Sequence, residues 1–358
     1  MFRVAAGQRS DRTPGGVGRP GRAAGGGSQT ATTISPVPAT ATGGVLSRIL
    51  GSGAPESGAV VMGTGIVSVA LFLDGWVALS RILFVLAAGL WAMLAVLVTA
   101  RAARSPGLLR TEMQSVAALT WVAGTAVLGA RVVLFGWTGV AIALLGAAFV
   151  LWTLLLGPVL GSWKTPTVGV SLLLTVATES LAVLAATVGI HTRAGWLELA
   201  ALVPFGLGLS SYVFVMCRFD LRQLLTGRGD HWITGGALAI STLAAGNIAA
   251  GARALGILGH GRGALEDIVV ALWVASVLWL PALLFAELLH PRPRYDVRRW
   301  STVFPVGMYA ACSYVAGAVA HVGAITRFAQ VWVWVAVAVW AAVLGAMIAS
   351  AIVRSRTA

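Results

Sequence analysis

From Glu56 onward the chain is a succession of apolar segments separated by short polar stretches. Ten can be counted, at approximately 56–74, 80–100, 112–132, 138–160, 166–189, 195–217, 232–252, 266–289, 300–320 and 328–352. Each is close to the roughly 20 residues that an α-helix needs to cross the hydrocarbon of a bilayer. The segments lack the strict alternation of barrel strands and are too long for them, so helices are the predicted spans. Their polar residues are unevenly shared. Ser, Thr, Asn, Gln, Asp and Glu within the apolar cores number twenty in the odd segments and five in the even ones. Even segments such as "ILFVLAAGLWAMLAVLV" and "VWVWVAVAVWAAVLGAMIA" are apolar all round and can face lipid, whereas polar side chains favour a bundle interior or a water-filled cavity. The alternation predicts an all-α integral membrane protein of ten transmembrane helices, arranged as five hairpins around a central pore, with odd helices inside and even helices outside.

Composition agrees with that pattern. The 358 residues are 58% hydrophobic and 10% charged, with a mean hydropathy of +0.88. A soluble domain carries about a quarter charged residues. One membrane domain over 45–353 is therefore expected, between an N-terminal tail over 1–44 and a short C-terminal tail over 354–358. The N-terminal tail, as in "DRTPGGVGRPGRAAGGGSQTATT", lacks the apolar core of a signal peptide before Val45 and is read as disordered. It is either a plain solvated tail or an electrostatic tether to anionic lipid.

The basic excess, 25 Lys and Arg against 12 Asp and Glu, would suggest nucleic acid in a soluble protein, but here it reports topology. With the N terminus inside, nineteen of the basic residues fall on the inner side, leaving Arg81, Arg131, Arg193, Arg253, Arg262 and Arg327 outside. Without the tail the ratio is still 13 to 6. Both termini are thus predicted in the cytoplasm, with the protein in the plasma (inner) membrane. The longest inner connections, "RFDLRQLLTGRGDHW" and "HPRPRYDVRRW", leave no room for a soluble catalytic or nucleotide-binding domain.

Enzyme chemistry finds no support. The chain has no HExxH, no CxxC, no histidine box and no phosphate-binding loop ending in Lys-Ser or Lys-Thr. The cysteines, Cys217 and Cys312, lie in or beside apolar segments and suggest neither a disulfide framework nor a thiolate metal site. No catalytic residue, metal or cofactor is expected. Among the fourteen tryptophans, Trp76, Trp137, Trp196, Trp232 and Trp300 lie near span ends and read as interfacial anchors.

Polar residues share helix faces: Ser57, Thr64 and Ser68 in the first span, and Ser171, Thr175, Thr178 and Glu179 in the fifth. They either line a pathway or hydrogen-bond across packed helices. Thr120, Ser241, Thr242, Ser301 and Met308 complete the candidate lining. Gly63 and Gly65, flanking Thr64, either line it or allow close helix packing, as do Gly235 and Gly236 opening the seventh span. Glu179 stands out in "LLTVATESLAVLA", midway along its span, where a charge costs at least about 2.5–3.5 kcal/mol. It must be neutralised, paired or wet, and no span offers a deep basic residue. Two readings stay open: a carboxyl that exchanges a proton during transport, and a neutral one hydrogen-bonded to Thr175 or a neighbouring helix. Glu198 and Glu287 lie nearer helix ends, where a carboxylate can reach the interface.

Four stretches carry a resemblance: "VMGTGIVS" (Val61 to Ser68), "TESLAVLA" in the fifth span, "GDHWITGGALAIS" (Gly229 to Ser241) and "WSTVFPVGMYA" (Trp300 to Ala310). Over about residues 55–352 the chain resembles the tellurite-resistance/dicarboxylate transporter family, which includes bacterial tellurite-resistance proteins, the yeast malate permease and sulfite pump, and the slow anion channels of plant guard cells. The resemblance implies the same ten-helix, five-hairpin fold around a pore, a homotrimer with one pore per subunit, and a small anion as substrate: a C4-dicarboxylate such as malate, or sulfite, chloride or nitrate. It also implies a gate. In the family's channels a phenylalanine followed by proline in the ninth span plugs the pore, and the matching pair here is Phe304 and Pro305. Proline can kink the helix, and a ring beside the kink can close a narrow lumen by excluding water. The expected function is transport of small anions, with protons as a second partner if Glu179 exchanges one, and membrane lipid as surroundings. The alternatives are a passive gated anion channel and a non-transporting membrane sensor.

Overall fold

The computed structural model describes residues 54–227, 229–291 and 295–356. The predicted disordered tail over 1–44, with the basic residues counted there, lies outside the described residues, as do Arg48, Arg228, Arg292 and Arg294. The described chain is helical, with one isolated bridge between Thr167 and Phe219. The main helices are α1 (Ala54–Leu73), α2 (Val77–Arg104), α3 (Thr120–Val133), α4 (Thr138–Gly161) and α5 (Leu173–Thr192). They continue as α6 (Gly195–Met216), α7 (Ile233–Leu255), α8 (Gly261–Leu289), α9 (Trp300–Ala320) and α10 (Gly323–Arg356). Among the described residues nine helical stretches are long and apolar enough to cross a membrane, and Ser57–Leu73 of α1 is a shorter apolar helix.

Boundaries differ from expectation where hydropathy is silent. The third predicted span is preceded by a separate helix, Pro106–Glu112, and its first part is a 3₁₀ turn, Val116–Leu119, before α3 proper. Ser115 caps that turn by accepting from the Ala117 N–H, so a polar residue inside an apolar window redirects the chain. Short 3₁₀ turns also lead into α5, α7 and α9 (Gly169–Leu172, Asp230–Trp232 and Val297–Arg299). The opposite ends of the pairs are joined by short turns. Gly75 and Gly136 there take φ of +89° and +78°, a region in which a Cβ would be strained.

Burial alternates along the chain. The most apolar stretch is 89% buried in α3, α5 and α7, each taken with its 3₁₀ entry, and 78% buried in α9, but between 11% and 22% buried in α2, α4, α6, α8 and α10. Contacts follow the same division. α1 packs on α3, α3 on α5, α5 on α7, α7 on α9, and α9 returns to α1. Each even helix packs along the odd helix that precedes it.

Glycines set the closeness of four of these five seams. A Cβ on Gly65 would lie 2.8 Å from Val127 Cγ1 of α3, and one on Gly129 would lie 2.7 Å from Leu184 Cδ2 of α5. One on Gly236 would lie 2.7 Å from the Pro305 ring, and one on Gly307 would lie 2.7 Å from Ile66. The α5/α7 seam instead carries a hydrogen bond from Ser241 to Glu179, 2.8 Å. Small residues at helix contacts are the usual basis of packing in lipid, where no hydrophobic drive draws apolar helices together.

Tryptophans fasten the less buried helices to the inner ones. Indole N–H groups donate from Trp91 of α2 to Thr125 of α3 (3.0 Å) and from Trp152 of α4 to Thr178 of α5 (3.0 Å). Trp273 of α8 donates to Ser313 of α9 (2.8 Å), and Trp340 of α10 to Thr64 of α1 (3.2 Å). Each bond joins an even helix to the next odd one. Trp76, Trp137 and Trp196 are well exposed, at 52%, 59% and 71%, but Trp232 and Trp300 are buried, which corrects the reading of those two as interfacial anchors. Their place near a span end in sequence is the start of an inner helix in space.

The seams make a direct prediction. Gly236→Val should lower the thermal stability of the purified protein by several degrees, because the Pro305 ring cannot rotate away; overpacking of this kind costs about 1–3 kcal/mol. Gly146→Val, where a Cβ would meet nothing within 4 Å, should leave the melting curve unchanged. Equal effects in fluorescence-detected melting would show that the seam is not tight.

Candidate functional site

Where α1, α3, α5, α7 and α9 face one another they enclose a cavity of about 190 Å³. Its walls are mainly apolar: Ile66, Val127, Val183, Ile240, Leu243 and Met308 contribute from all five helices. The polar groups are few. Ser180 and Thr187 of α5 and Asn247 of α7 face it, and His191 stands at the end near the short turns. Asn247 Nδ2 donates to Thr187 Oγ1 at 3.1 Å, which fixes both side chains across the α5/α7 seam.

Of the predicted lining, Met308 borders this cavity, and Ser180, Thr187 and Asn247 were missed. They belong to the polar set of the odd helices, but helical spacing alone could not say which side of each helix faces inward. The other predicted residues sit in contacts between helices or bond within their own segment. Gly63 lies against Val303 and Trp300 of α9, and Gly65 against Val127. Thr64 and Thr178 accept from Trp340 and Trp152. Ser68 and Ser80 of α2 exchange hydroxyl-to-carbonyl bonds of 2.7 and 2.6 Å. Thr120 donates to the Ala117 carbonyl and Thr242 to that of Leu238. Ser171 accepts from the Val168 N–H, and Thr175 bonds Ser211 of α6 at 2.8 Å. Ser301 is buried in the first turn of α9.

Phe304 is completely buried, one helical turn before Met308 and therefore on the same face of α9. Pro305 packs its ring on Gly236 of α7. The beginning of α9 is held by an ion pair from Arg299 to Glu287 of α8, 2.7 Å, so Glu287 is tied to α9 at the helix ends.

Glu179 has no exposed surface. One oxygen accepts from Ser241, the other has no hydrogen-bond partner, and the side chain fills the space over Gly208 of α6. Glu179 does not border the cavity, although its neighbour Ser180 does. Glu198 departs from expectation: although in the first turn of α6, it is 1% exposed, wedged between Gly189 of α5 and Gly251 of α7. The two glycines leave the room that draws it inward. Among the described residues no group of three or more His, Cys, Asp or Glu could hold a metal ion.

An all-α chain with this many long apolar helices is a multi-pass membrane protein. It belongs to the voltage-dependent anion channel family, SLAC1, whose sequence profile matches residues 54–348. The chain is also 34% identical over 124 residues to two uncharacterized membrane proteins of Mycobacterium tuberculosis, from strains CDC 1551 / Oshkosh and ATCC 25618 / H37Rv. Those matches cover 33% of this chain and 62% of each relative, so the chain spans less than two thirds of the length of the curated relatives.

Water access can be tested without a substrate. In a background of Cys217→Ala and Cys312→Ala, Leu243→Cys and Thr187→Cys should react with a small water-soluble thiol reagent in intact membranes. Thr178→Cys, facing Trp152, should stay protected, and the reverse order would place the aqueous space elsewhere.

Proposed function

We propose that this chain passes small anions across the plasma (inner) membrane through a central pore enclosed by five inner helices. In this reading all ten helices cross the membrane as five hairpins, odd inside and even outside, with both termini cytoplasmic. The chain assembles as a homotrimer with one pore per subunit. The substrate is a small anion of the C4-dicarboxylate or the sulfite, chloride and nitrate type. The observation that carries the reading is the closed succession of contacts among the five buried helices around one cavity, in a chain of an anion channel family.

Phe304 is the proposed gate and Pro305 its hinge. The ring lies on the face of α9 that carries Met308, which borders the cavity. A phenyl ring across so narrow and apolar a passage blocks ions by keeping water out. Phe304→Ala should therefore raise anion flux into proteoliposomes by about tenfold, a barrier lowered by about 1.4 kcal/mol. Flux equal to wild type would remove the ring from gating.

Proton coupling rests on Glu179, a buried carboxyl without an ion-pair partner among the described residues. If it gives up and regains a proton as anions pass, wild-type flux rises from neutral to acidic pH, because protonation removes a negative charge near the path. Glu179→Gln should then flatten that dependence. A second reading, a passive gated channel, is favoured by the position of Glu179 against Gly208 and Ser241 rather than on the cavity. It predicts the same pH profile for wild type and Glu179→Gln.

A further inference from the structure

Arg131, in the last turn of α3, has a side chain that neither the pathway nor the gate uses. It was counted among the basic residues of the outer side, yet it is 1% exposed, and among the described residues it is the one Lys or Arg that is buried. Its guanidinium lies between two phenyl rings, with Cζ 4.3 Å from the centre of Phe72 and 4.2 Å from that of Phe135. Nε donates to Ser80 Oγ at 3.1 Å. That hydroxyl gives its own proton to the Ser68 carbonyl, so it is held ready to accept from the arginine. Both terminal nitrogens, Nη1 and Nη2, are buried without a hydrogen-bond partner. Among the described residues no carboxylate pairs with Arg131, and Arg81 adds a second positive charge to the same corner.

A buried guanidinium with its donating edge empty is costly unless something neutralises it. The geometry says what fits. The faces are covered by aromatic rings, the Nε side is taken by Ser80, and the remaining edge, Nη1 and Nη2, is a buried and unpartnered flat pair of N–H donors that matches two coplanar oxygens. The cavity is close by. Val127 and Leu134, four residues before and three after Arg131 on the same helix face, both border it, as does Leu73 next to Phe72.

We propose that Arg131, its guanidinium held between Phe72 and Phe135, is an intramembrane binding site that takes a planar oxyanion, of nitrate or carboxylate geometry, on its Nη1/Nη2 edge beside the short-turn end of the cavity. The site rests on the transport reading for its purpose but not for its existence. An anion held there stands next to the pathway, and the site selects flat anions with two oxygens in one edge over tetrahedral ones.

The test is binding, read without transport. Purified protein is melted in detergent, followed by tryptophan fluorescence, during titration with nitrate or with sulfate at matched ionic strength. Wild type should gain thermal stability saturably with nitrate and much less with sulfate. Arg131→Gln should lose the nitrate-dependent gain, and Arg131→Lys, which keeps the charge but not the fork, should bind nitrate about tenfold more weakly or worse. Equal gains from the two anions in wild type, or an undiminished gain in Arg131→Gln, would overturn the site. The wild-type comparison decides the matter even if a variant fails to fold. Nitrate binding that depends on Arg131 without flux in proteoliposomes would leave the site standing and count against the transport reading alone.

Discussion

Hydrocarbon offers no hydrogen-bond partner, and this constraint orders the whole molecule. Helices satisfy their own backbones, so the remaining question is where the polar side chains go. They go inward, and they are paired there across helices: Ser68 with Ser80, Thr175 with Ser211, Asn247 with Thr187, and four tryptophan indoles with inner-helix hydroxyls. Individually such bonds contribute about 0.6 kcal/mol in a membrane, so no single one holds the fold. Their direction matters more. Because each tryptophan joins an even helix to the following odd one, the outer helices bind neighbouring pairs together around the inner ring.

The same demand shapes the cavity. With many hydroxyls used between helices or on their own helix backbone, the space left in the middle is lined by Ile, Val, Leu and Met with a few polar groups. If anions cross here, as proposed, they find little to bind strongly, which suits conduction, where sites must be weak enough to leave. On the reading proposed here, the strong charges stand aside from the axis. Glu179 is held in the α5/α7 seam, where it takes the place that glycine contacts fill in the other four, and Arg131 lies beside the cavity between two phenylalanines.

Much of this was legible in the sequence. Segment lengths and the uneven polar content predicted an all-helical membrane protein and the alternation of buried and exposed helices, because lipid filters composition helix by helix. The motifs around Thr64, Glu179, Gly236 and Phe304 pointed to the family. What could not be read was the rotation of each helix about its axis. Thr64 and Thr178 have the same chemistry as Ser180 and Thr187, yet the first two face tryptophans and the last two face the cavity. The tryptophan partners lie 276 and 26 residues away in sequence, so the pairing is a tertiary fact. Arg131 and Glu198 do lie in the terminal turns of their helices, where the apolar runs end, yet both are buried. Local space made by Gly189 and Gly251 for Glu198, and a phenylalanine pocket for Arg131, drew both inside.

The central claim is that the space among α1, α3, α5, α7 and α9 is the route by which anions cross. The most direct measurement is anion flux through proteoliposomes containing a cysteine-free protein with a single Leu243→Cys substitution, before and after reaction with a bulky thiol reagent. The account predicts that modification, verified by mass, abolishes flux and that reduction of the adduct restores it. Full modification with flux unchanged would mean that the anions travel by some other path.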